Sequence, residues 1–323
     1  MISKEKLLSK ILYGNNLETL KTIESCSVDC CVTSPPYFGL RNYGCPSVTF
    51  PDGWNGEHGQ EETVELYINH EVEIFREVYR VLKDNGTLWL NLGDSYCNSN
   101  GFARSQSTFQ RKGRNDAPAN DRNLSNLHDE GIKTKDLIGI PWHVAFALQS
   151  DGWYLRQDII WAKPNPMPES VTDRCTKSHE YIFLFSKSEK YYFDNDSIKE
   201  PCTTFDEIVR DRDNSRLNNT PGRSRMGGLK CNNYTMKNKR DVWNVPTKSF
   251  NEAHFATFPP ELIEPCILAG CPEGGTVLDP FGGSGTTGMV AMKNRREYIL
   301  CELNKEYIKI AEKRIGNTQI NLI

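Results

Sequence analysis

The chain has 323 residues, of which 37% are hydrophobic and 25% charged, and its formal net charge at pH 7 is −3. Its length suits one large α/β domain with an inserted module, or two domains, and its composition is that of a soluble globular protein. The small net charge excludes a uniformly basic surface, so nucleic-acid binding would have to use local basic segments. The apolar runs are too short to span a bilayer and residues 1–6 lack the apolar core of a signal peptide, which predicts a cytoplasmic protein.

The cysteines number 11, and no two of them form a Cys-x-x-Cys pair. Cys30 and Cys31 are adjacent in one apolar run, and Cys301 lies in another. This pattern predicts small buried thiols in a reducing compartment, with no metal site and no disulfide framework.

A strand-then-turn pattern around Leu12 leads into a helix, and the apolar run Val28 to Val32 predicts a buried strand. Thr-Ser-Pro-Pro-Tyr follows at residues 33–37. Proline fixes its own φ at about −65° and has no N–H for a sheet ladder, so the strand should end in a rigid corner. In an open α/β sheet such a corner faces the crevice where ligands bind. The serine hydroxyl, the backbone carbonyls and the tyrosine ring of this corner are suited to bind a planar amine. The tetrapeptide Ser-Pro-Pro-Tyr is also typical of a surface turn, so both interpretations stay open.

The next segments predict a βαβ unit. Residues 38–60 are rich in glycine, proline and aromatic residues without a clear period, which predicts a loop over the crevice. Apolar residues recur at three and four over 61–83, a helical pattern that Asp-Asn-Gly at 84–86 should stop, and 87–92 is the next strand. Strand, helix and strand in this order predict parallel pairing with a right-handed crossover.

Two polar segments interrupt the α/β pattern. Residues 98–135 are long, polar and basic, which predicts a flexible, DNA-facing loop. Residues 200–240 hold nine lysines and arginines and few aliphatic residues. They are therefore either a solvent-exposed surface segment or a module that binds along the phosphates of a nucleic acid. Between the two, 140–149 predicts a helix, and 153–161 and 179–186 predict strands of an antiparallel hairpin at one sheet edge.

The C-terminal part returns to alternating helices and strands, the first helix at 259–269, and contains a glycine-rich loop. Asp-Pro-Phe-Gly-Gly-Ser-Gly-Thr-Thr at 279–287 follows a strand and precedes a helix, which is the context of a nucleotide-binding loop. The next strand ends at Glu302, where an acidic residue can bind ribose hydroxyls. The acidic entry and the bulky Phe281 disfavour a pyrophosphate, so we expect a cationic nucleoside, S-adenosyl-L-methionine, as cofactor.

The loop at 279–287 and the Thr-Ser-Pro-Pro-Tyr corner together resemble the motifs of the amino-group DNA methyltransferases, which modify N4 of cytosine or N6 of adenine. The order, with the catalytic motif first and a variable region between, is similar to the β group of that family, of bacterial restriction-modification type. The resemblance implies a Rossmann-like α/β fold with a mixed, circularly permuted, seven-stranded sheet. It divides the chain into a catalytic part at 1–199, an inserted target-recognition region at 200–245 and a cofactor-binding part at 246–323.

The resemblance also implies the site. Asn15 stands where the family usually has an acid near the adenine, so no contact is assigned to it. The catalytic residues are Ser34, Pro35, Pro36 and Tyr37. The cofactor-binding residues are Asp279, Pro280, Phe281, Gly282, Gly283, Ser284, Gly285, Thr286, Glu302, Phe255, Thr257 and Phe258. The expected DNA contacts are Phe38, Arg41, Arg111, Arg114, Arg223, Arg225, Lys237 and Arg240.

In the implied reaction, the hydroxyl of Ser34 and the carbonyl of Pro35 accept the two N–H groups of the target amine and offset its developing positive charge. The amine is buried in duplex DNA, so the base must be flipped out, with Tyr37 or Phe38 stacking on it. His179 and Glu180 are either catalytic or position the adjoining loop. Ser-Pro-Pro-Tyr is typical of the enzymes that act on N4 of cytosine.

Other functions stay open at the level of sequence. N6-methylation of adenine is the alternative on the same scaffold. A methyltransferase of RNA or of protein glutamine, and a DNA-binding protein without catalysis, are more distant alternatives. The expected partners are double-stranded DNA, a second copy of the chain in a homodimer and a separately acting restriction endonuclease.

Overall fold

The computed structural model describes residues 9–40, 43–97, 130–202, 235–248 and 258–318. An eight-stranded mixed sheet forms the centre of this part of the chain. In spatial order its strands are β1 (Lys10–Tyr13), β12 (Glu297–Glu302), β11 (Thr276–Asp279), β2 (Val28–Thr33), β5 (Leu82–Leu92), β7 (His179–Ser186), β6 (Tyr154–Ala162) and β10 (Val242–Asn244). Strand β7 is antiparallel to both of its neighbours, and the other neighbouring pairs are parallel.

The sheet confirms the Rossmann-like fold but has one strand more than the seven that were expected. The additional strand is β10, whose three residues pair in parallel with β6 at the edge of the sheet. The antiparallel pairing of β6 with β7 is confirmed, but β10 rather than this hairpin forms the edge. Two separate two-stranded sheets pair β3 (Val48–Thr49) with β4 (Asn55–Gly56), and β8 (Glu200–Pro201) with β9 (Met236–Lys237).

Helices cover both faces of the sheet. They are α1 (Asn16–Lys21), α2 (Val64–Val81), α3 (Ile140–Ser150), α4 (Pro260–Gly270), α5 (Thr286–Lys293) and α6 (Lys305–Gly316). Side chains of α1, α2 and α3 share one hydrophobic core with Cys31, whereas those of α4 and α5 share a second core with Cys30 and Val32. Strand β2 is therefore buried on both faces, as expected for a central parallel strand. None of the helices in the described ranges has both the length and the apolar character that a bilayer crossing needs.

The sheet order brings the two sequence motifs together. Strands β2 and β11 are adjacent and parallel, with Cys30 opposite Val277 and Cys31 opposite Leu278. Because parallel strands end at the same edge of a sheet, the corner after Thr33 and the loop after Asp279 lie side by side. The chain order of these strands is permuted, and their adjacency is purely a product of the tertiary fold.

One boundary differs from the expectation. Helix α2 ends at Val81, and the prediction that Asp-Asn-Gly at 84–86 stops it is wrong. Leu82 already has an extended backbone, with φ −66° and ψ 140°, and it pairs with Val28 of β2. Pairing with the sheet therefore ends the helix before the turn-forming residues are reached.

Candidate active site

A cavity of about 450 Å³ lies at the carboxyl ends of β2 and β11. The catalytic corner, Ser34 to Tyr37, forms one wall, which we call the catalytic wall. The loop Asp279 to Thr286 contributes the opposite wall, the cofactor wall, together with Glu302. The two motifs therefore share one cleft, as the resemblance in the sequence implies.

Asp279 fastens the two walls to each other. Its side chain is 1% exposed, and its oxygens accept the hydroxyls of Thr33 and Thr287, each at 2.6 Å. The backbone N–H of Phe281 donates to the same carboxylate at 3.0 Å. Burial raises the pKa of Asp279, and its hydrogen bonds to Thr287 and Thr33 act in the opposite direction. Both oxygens thus accept hydrogen bonds within the protein, and Asp279 fixes the cofactor loop to the end of strand β2.

The glycines of the cofactor wall allow it to lie against its neighbours. Gly282 donates its N–H to the carbonyl of Cys301 at 2.8 Å. Gly285 has φ +78°, and a Cβ atom there would lie 2.6 Å from the Cβ of Ala311 in α6. Arg314 of α6 donates to the carbonyl of Ser284 at 2.8 Å. The wall is therefore held mainly through its backbone, at contact distances that a side chain would prevent.

Glu302 lies where the sequence places the ribose-binding acid. One carboxylate oxygen accepts the N–H of Gly283 and the other that of Asn304, both at 2.7 Å. Burial raises the pKa of this carboxyl group. Each oxygen keeps a further lone pair, and the side chain lines the cavity, so it can accept hydroxyl groups of a ribose. The residues present therefore fit an adenosine-containing cofactor.

Aromatic and amide side chains complete the cofactor side of the cavity. Phe258 and Phe281 line it, as do Pro280 and Asn15. Asn15 accepts the N–H of Leu17 at 3.0 Å and so caps helix α1. Phe255 and Thr257 lie outside the described residues.

The hydroxyl of Tyr37 is held by three polar groups. It lies 2.9 Å from Oε2 of Glu180 and 3.1 Å from Oδ1 of Asn91, and it accepts the hydroxyl of Ser34 at 3.3 Å. Burial, followed by the negative charge of Glu180, raises the pKa of Tyr37 well above its usual value, so the side chain stays a neutral phenol. A Cβ atom at Gly93 would lie 2.5 Å from the Tyr37 ring, so only glycine leaves room for the ring.

Glu180 therefore positions the Tyr37 side chain, a role that the sequence did not reveal. Its carboxylate forms an ion pair with Lys163, whose ammonium lies 4.3 Å from the centre of the Trp161 ring. Asn91 donates to the same carboxylate at 3.3 Å. The signal in the sequence was a polar residue, Asn91, inside the buried run of β5, and an acid at the start of β7.

A smaller cavity of about 160 Å³ adjoins Tyr37. Glu180, Lys163 and Lys177 line it, and so does His179. Burial, followed by the charge of Lys177, lowers the pKa of His179, so its imidazole is neutral near pH 7. Charged and polar side chains thus line the smaller cavity, and two of them, Lys163 and Glu180, also line the larger one.

A buried charge cluster of His58, Glu61, Glu71 and His70 lies beneath both walls. His58 is 2.8 Å from a carboxylate oxygen of Glu61 and of Glu71, and His70 is 2.9 Å from Glu61. Burial alone would lower the pKa of His58, but the two carboxylates raise it to about 10. Ligand atoms of His58, Glu61 and His70 lie within 4.8 Å of one another, but their mutual hydrogen bonds already engage them.

The charge cluster contacts both walls. The imidazole of His58 stacks on the ring of Phe281, with ring centres 5.8 Å apart. Tyr67, which stacks on His58, donates its hydroxyl to the carbonyl of Pro36 at 3.0 Å. The cluster therefore supports the cofactor loop through one ring and the catalytic corner through another.

The residues expected to contact DNA differ in exposure and in their partners. The prediction for Phe38 is wrong, because its side chain is 1% exposed and packs against Tyr67 with ring centres 5.4 Å apart. Lys237 and Arg240 both pair with Glu200, at 3.6 Å and 2.7 Å, and the Arg240 side chain is 69% exposed. Outside the described residues lie Arg41, Arg111, Arg114, Arg223 and Arg225.

Comparison with known proteins shows which family the chain resembles. A family model described as DNA methylase matches residues 28–313. The Type II methyltransferase M.Cfr9I of Citrobacter freundii is 46% identical over 313 residues, which are 97% of this chain and 89% of that protein. The Type II methyltransferase M.SmaI of Serratia marcescens is 46% identical over 306 residues, covering 95% of this chain and 90% of that protein.

Solved structures of low sequence identity share the fold. PvuII DNA methyltransferase (cytosine-N4-specific) superposes with a TM-score of 0.62 at 19% identity, covering 97% of this chain and 88% of that one. A protein of Thermus thermophilus, solved in complex with S-adenosyl-L-methionine, gives a TM-score of 0.58 at 22% identity, covering 96% of this chain and 93% of that one. These likenesses confirm the Rossmann-like architecture.

Proposed function

The chain belongs to the DNA methylase family, and on that premise we propose that it methylates the N4 amino group of cytosine in double-stranded DNA, at a specific site. It is a DNA methyltransferase of restriction-modification type, and its cofactor is S-adenosyl-L-methionine. The observation that carries the proposal is that the catalytic wall and the cofactor wall line the same cavity of about 450 Å³. A methyl donor and an amine can meet there without a covalent enzyme intermediate.

The residues of the catalytic wall are arranged to accept an amine. When bound, S-adenosyl-L-methionine supplies a methyl group on a sulfonium, whose sulfur is a good leaving group. Ser34 donates its proton to Tyr37, so both lone pairs of its oxygen are available to accept an N–H of the target amine. Tyr67 donates to the carbonyl of Pro36 and so helps to fix the corner that also contains the carbonyl of Pro35, the second acceptor. Both acceptors stabilise the positive charge that develops on the nitrogen during in-line transfer.

Base flipping brings the cytosine to this wall. The ring of Tyr37 lines the cavity, and Glu180, Asn91 and Ser34 fix its hydroxyl before a base arrives. A preorganised ring can stack on an everted base with little loss of side-chain entropy. Serine at the first catalytic position, which is typical of the N4 enzymes, supports cytosine over adenine.

The remaining assignments belong to the same proposal. We assign DNA recognition to residues 200–245 and a clamp on the DNA to residues 98–135, on the basis of their basic composition. The residues at 1–199 and 246–323 form the catalytic and cofactor-binding parts. A homodimer and a separate restriction endonuclease are the partners we propose besides DNA.

Nucleoside analysis tests the proposed base. Purified protein is incubated with unmethylated genomic DNA and S-adenosyl-L-methionine, and the digested DNA is analysed by mass spectrometry. We expect N4-methylcytosine, and long-read sequencing of the same DNA then gives the recognition sequence. N6-methyladenine instead would overturn the base assignment. A folded protein that binds the cofactor but methylates no base would overturn the function.

The Ser34→Ala variant tests the proposed acceptor, with Ser27→Ala, a serine ahead of β2, as matched control. Loss of the hydroxyl should lower the transfer rate roughly 10-fold or more, because one preorganised acceptor is worth about 1–3 kcal/mol. Ser27→Ala should transfer methyl groups at the wild-type rate. Equal rates for the two variants would remove Ser34 from the mechanism.

A further inference from the structure

The segment from Lys163 to Glu169 carries an exposed apolar side chain next to the active site. Its sequence is Lys-Pro-Asn-Pro-Met-Pro-Glu, with prolines at 164, 166 and 168. Met167 is 63% exposed, more than any other large hydrophobic side chain in the described residues. A single exposed apolar residue is ordinary, so its place beside the catalytic corner is what matters.

The N-terminal end of the segment is fixed to the catalytic wall. Lys163 lines both cavities and forms the ion pair with Glu180, which in turn holds the hydroxyl of Tyr37. The backbone N–H of Lys163 donates to the carbonyl of Ser178 at 2.8 Å, next to the start of β7. The segment therefore begins at the residue that anchors the catalytic tyrosine.

The middle and the C-terminal end are also anchored. The side chain of Asn165 accepts the N–H of Thr247 at 2.9 Å and donates to its carbonyl at 3.1 Å, and Thr247 lines the larger cavity. Glu169 lines the smaller cavity and pairs with Arg174 at 2.5 Å. Met167 lies between these two anchors in the chain.

The geometry of the chain keeps Met167 near the smaller cavity, which adjoins Tyr37. Two residues span at most about 7 Å, so the Cα atom of Met167 lies within that distance of Glu169 on the rim of the smaller cavity. The prolines on either side restrict its backbone and reduce the entropy lost when the side chain is used in binding. An apolar side chain is thus presented, on a stiff and anchored segment, beside the wall that receives the base.

We propose that Met167 enters the DNA duplex as a wedge and fills the space that the everted base leaves. The inference rests on the proposed function, because only a flipped base leaves such a space. Extrusion leaves the neighbouring base pairs without a stacking partner, and apolar side chains such as Met that insert between base steps offset this cost. The unbranched, polarizable side chain of methionine adapts well to an irregular gap.

Single-turnover methylation of two duplexes tests the wedge. Both contain the recognition sequence obtained by sequencing; in one the target base is correctly paired, and in the other it faces a mismatched base that already weakens its pairing. We expect Met167→Ala to lower the rate on the paired duplex roughly 10-fold or more, about 1.4 kcal/mol. On the mismatched duplex the loss should be smaller, roughly threefold or less, because less extrusion energy is needed there. Met167→Leu should restore most of the rate, since it keeps an apolar wedge.

Phe146→Ala is the control, because Phe146 is a 54% exposed apolar side chain in helix α3. It should leave both rates unchanged. Equal losses for Met167→Ala on the two duplexes, or no loss on either, would overturn the wedge while wild-type activity upholds the proposed function. Wild-type protein that methylates neither duplex would overturn both.

Discussion

The two walls of the active-site cavity are held in place by different kinds of interaction. The cofactor wall depends on backbone hydrogen bonds and on glycines such as Gly285, which lies against helix α6. The catalytic wall depends on side chains, with Tyr37 held by Asn91 and Glu180. The cofactor wall should therefore be sensitive to added volume, and the catalytic wall to lost side chains. The buried charge cluster around His58 supports both, so its loss should affect the whole site.

Breaking the charge cluster should have the largest effect. At about pH 5.5, His58→Gln should reduce the free energy of unfolding by about 3–5 kcal/mol, since it leaves buried carboxylates without their cation. The pKa of His58 rises from 6.5 to about 10 in the folded state, so its contribution is complete below pH 6.5 and is lost as the pH rises through 10. Burial raises the pKa of Glu61, but the charge of His58 outweighs burial and lowers this pKa from 4.5 to about 2. The contribution of Glu61 to the free energy of unfolding is therefore complete above pH 4.5 and is lost as the pH falls through 2.

Denaturant unfolding as a function of pH measures this effect. The difference between wild type and His58→Gln should be greatest between pH 4.5 and 6.5, where both contributions are complete. The exposed His143 provides the control, and His143→Gln should change the stability by less than about 0.5 kcal/mol. A difference that does not vary with pH would exclude the assigned charges.

Adding a side chain to the cofactor wall should have the second largest effect. Gly285→Ala should destabilise the protein by about 2–4 kcal/mol, because the residue has φ +78° and its Cβ would overlap Ala311. Displacement of the loop should also weaken cofactor binding, which calorimetry with S-adenosyl-L-methionine measures. Gly316→Ala is the matched control, since a Cβ atom there meets nothing within 4 Å. Wild-type stability and affinity in Gly285→Ala would contradict the packing described for this wall.

Removing a side chain from the catalytic wall should separate transfer from cofactor binding. Tyr37→Ala should lower the methyl-transfer rate roughly 10- to 100-fold, in line with about 1–3 kcal/mol for stacking on one base. Its affinity for S-adenosyl-L-methionine should stay close to that of the wild type, because the hydrogen bonds of the Tyr37 hydroxyl go to Ser34, Asn91 and Glu180 and not to the cofactor wall. Tyr154→Ala, at a 45% exposed tyrosine of β6, serves as control. Equal loss of transfer and of cofactor binding would refute the distinction between the walls.

The smallest effect is expected outside both walls. Arg240 is paired with Glu200 in the free protein, so part of its charge is already compensated. Arg240→Ala should weaken DNA binding only about two- to fivefold and reduce the slope of log affinity against log salt by about 1. Glu200→Ala should strengthen binding, and Lys309→Ala, on helix α6, should change nothing. An unchanged salt slope in Arg240→Ala would remove this residue from the DNA surface.

Several features could be predicted from sequence because they depend on neighbours in the chain. Periodicity placed helix α2 and strand β7, and proline and glycine chemistry located the catalytic corner and the cofactor loop. Prediction failed where pairing with a segment far away in the chain decides the secondary structure. Strand β10 has only three residues, too few to show a period, and exists because it pairs with β6. Helix α2 ends early because Leu82 pairs with β2.

The sequence by itself determined which chemical groups the site has: a hydroxyl, a tyrosine ring, a glycine loop and the carboxylate of Glu302. The tertiary structure decided how those groups are used. It turned Asp279 into a link between the walls, buried Phe38 and made Glu180 the support of Tyr37. The reason is that backbone conformation follows from adjacent residues, whereas burial and hydrogen-bond partners depend on segments far apart in the chain that only folding brings together.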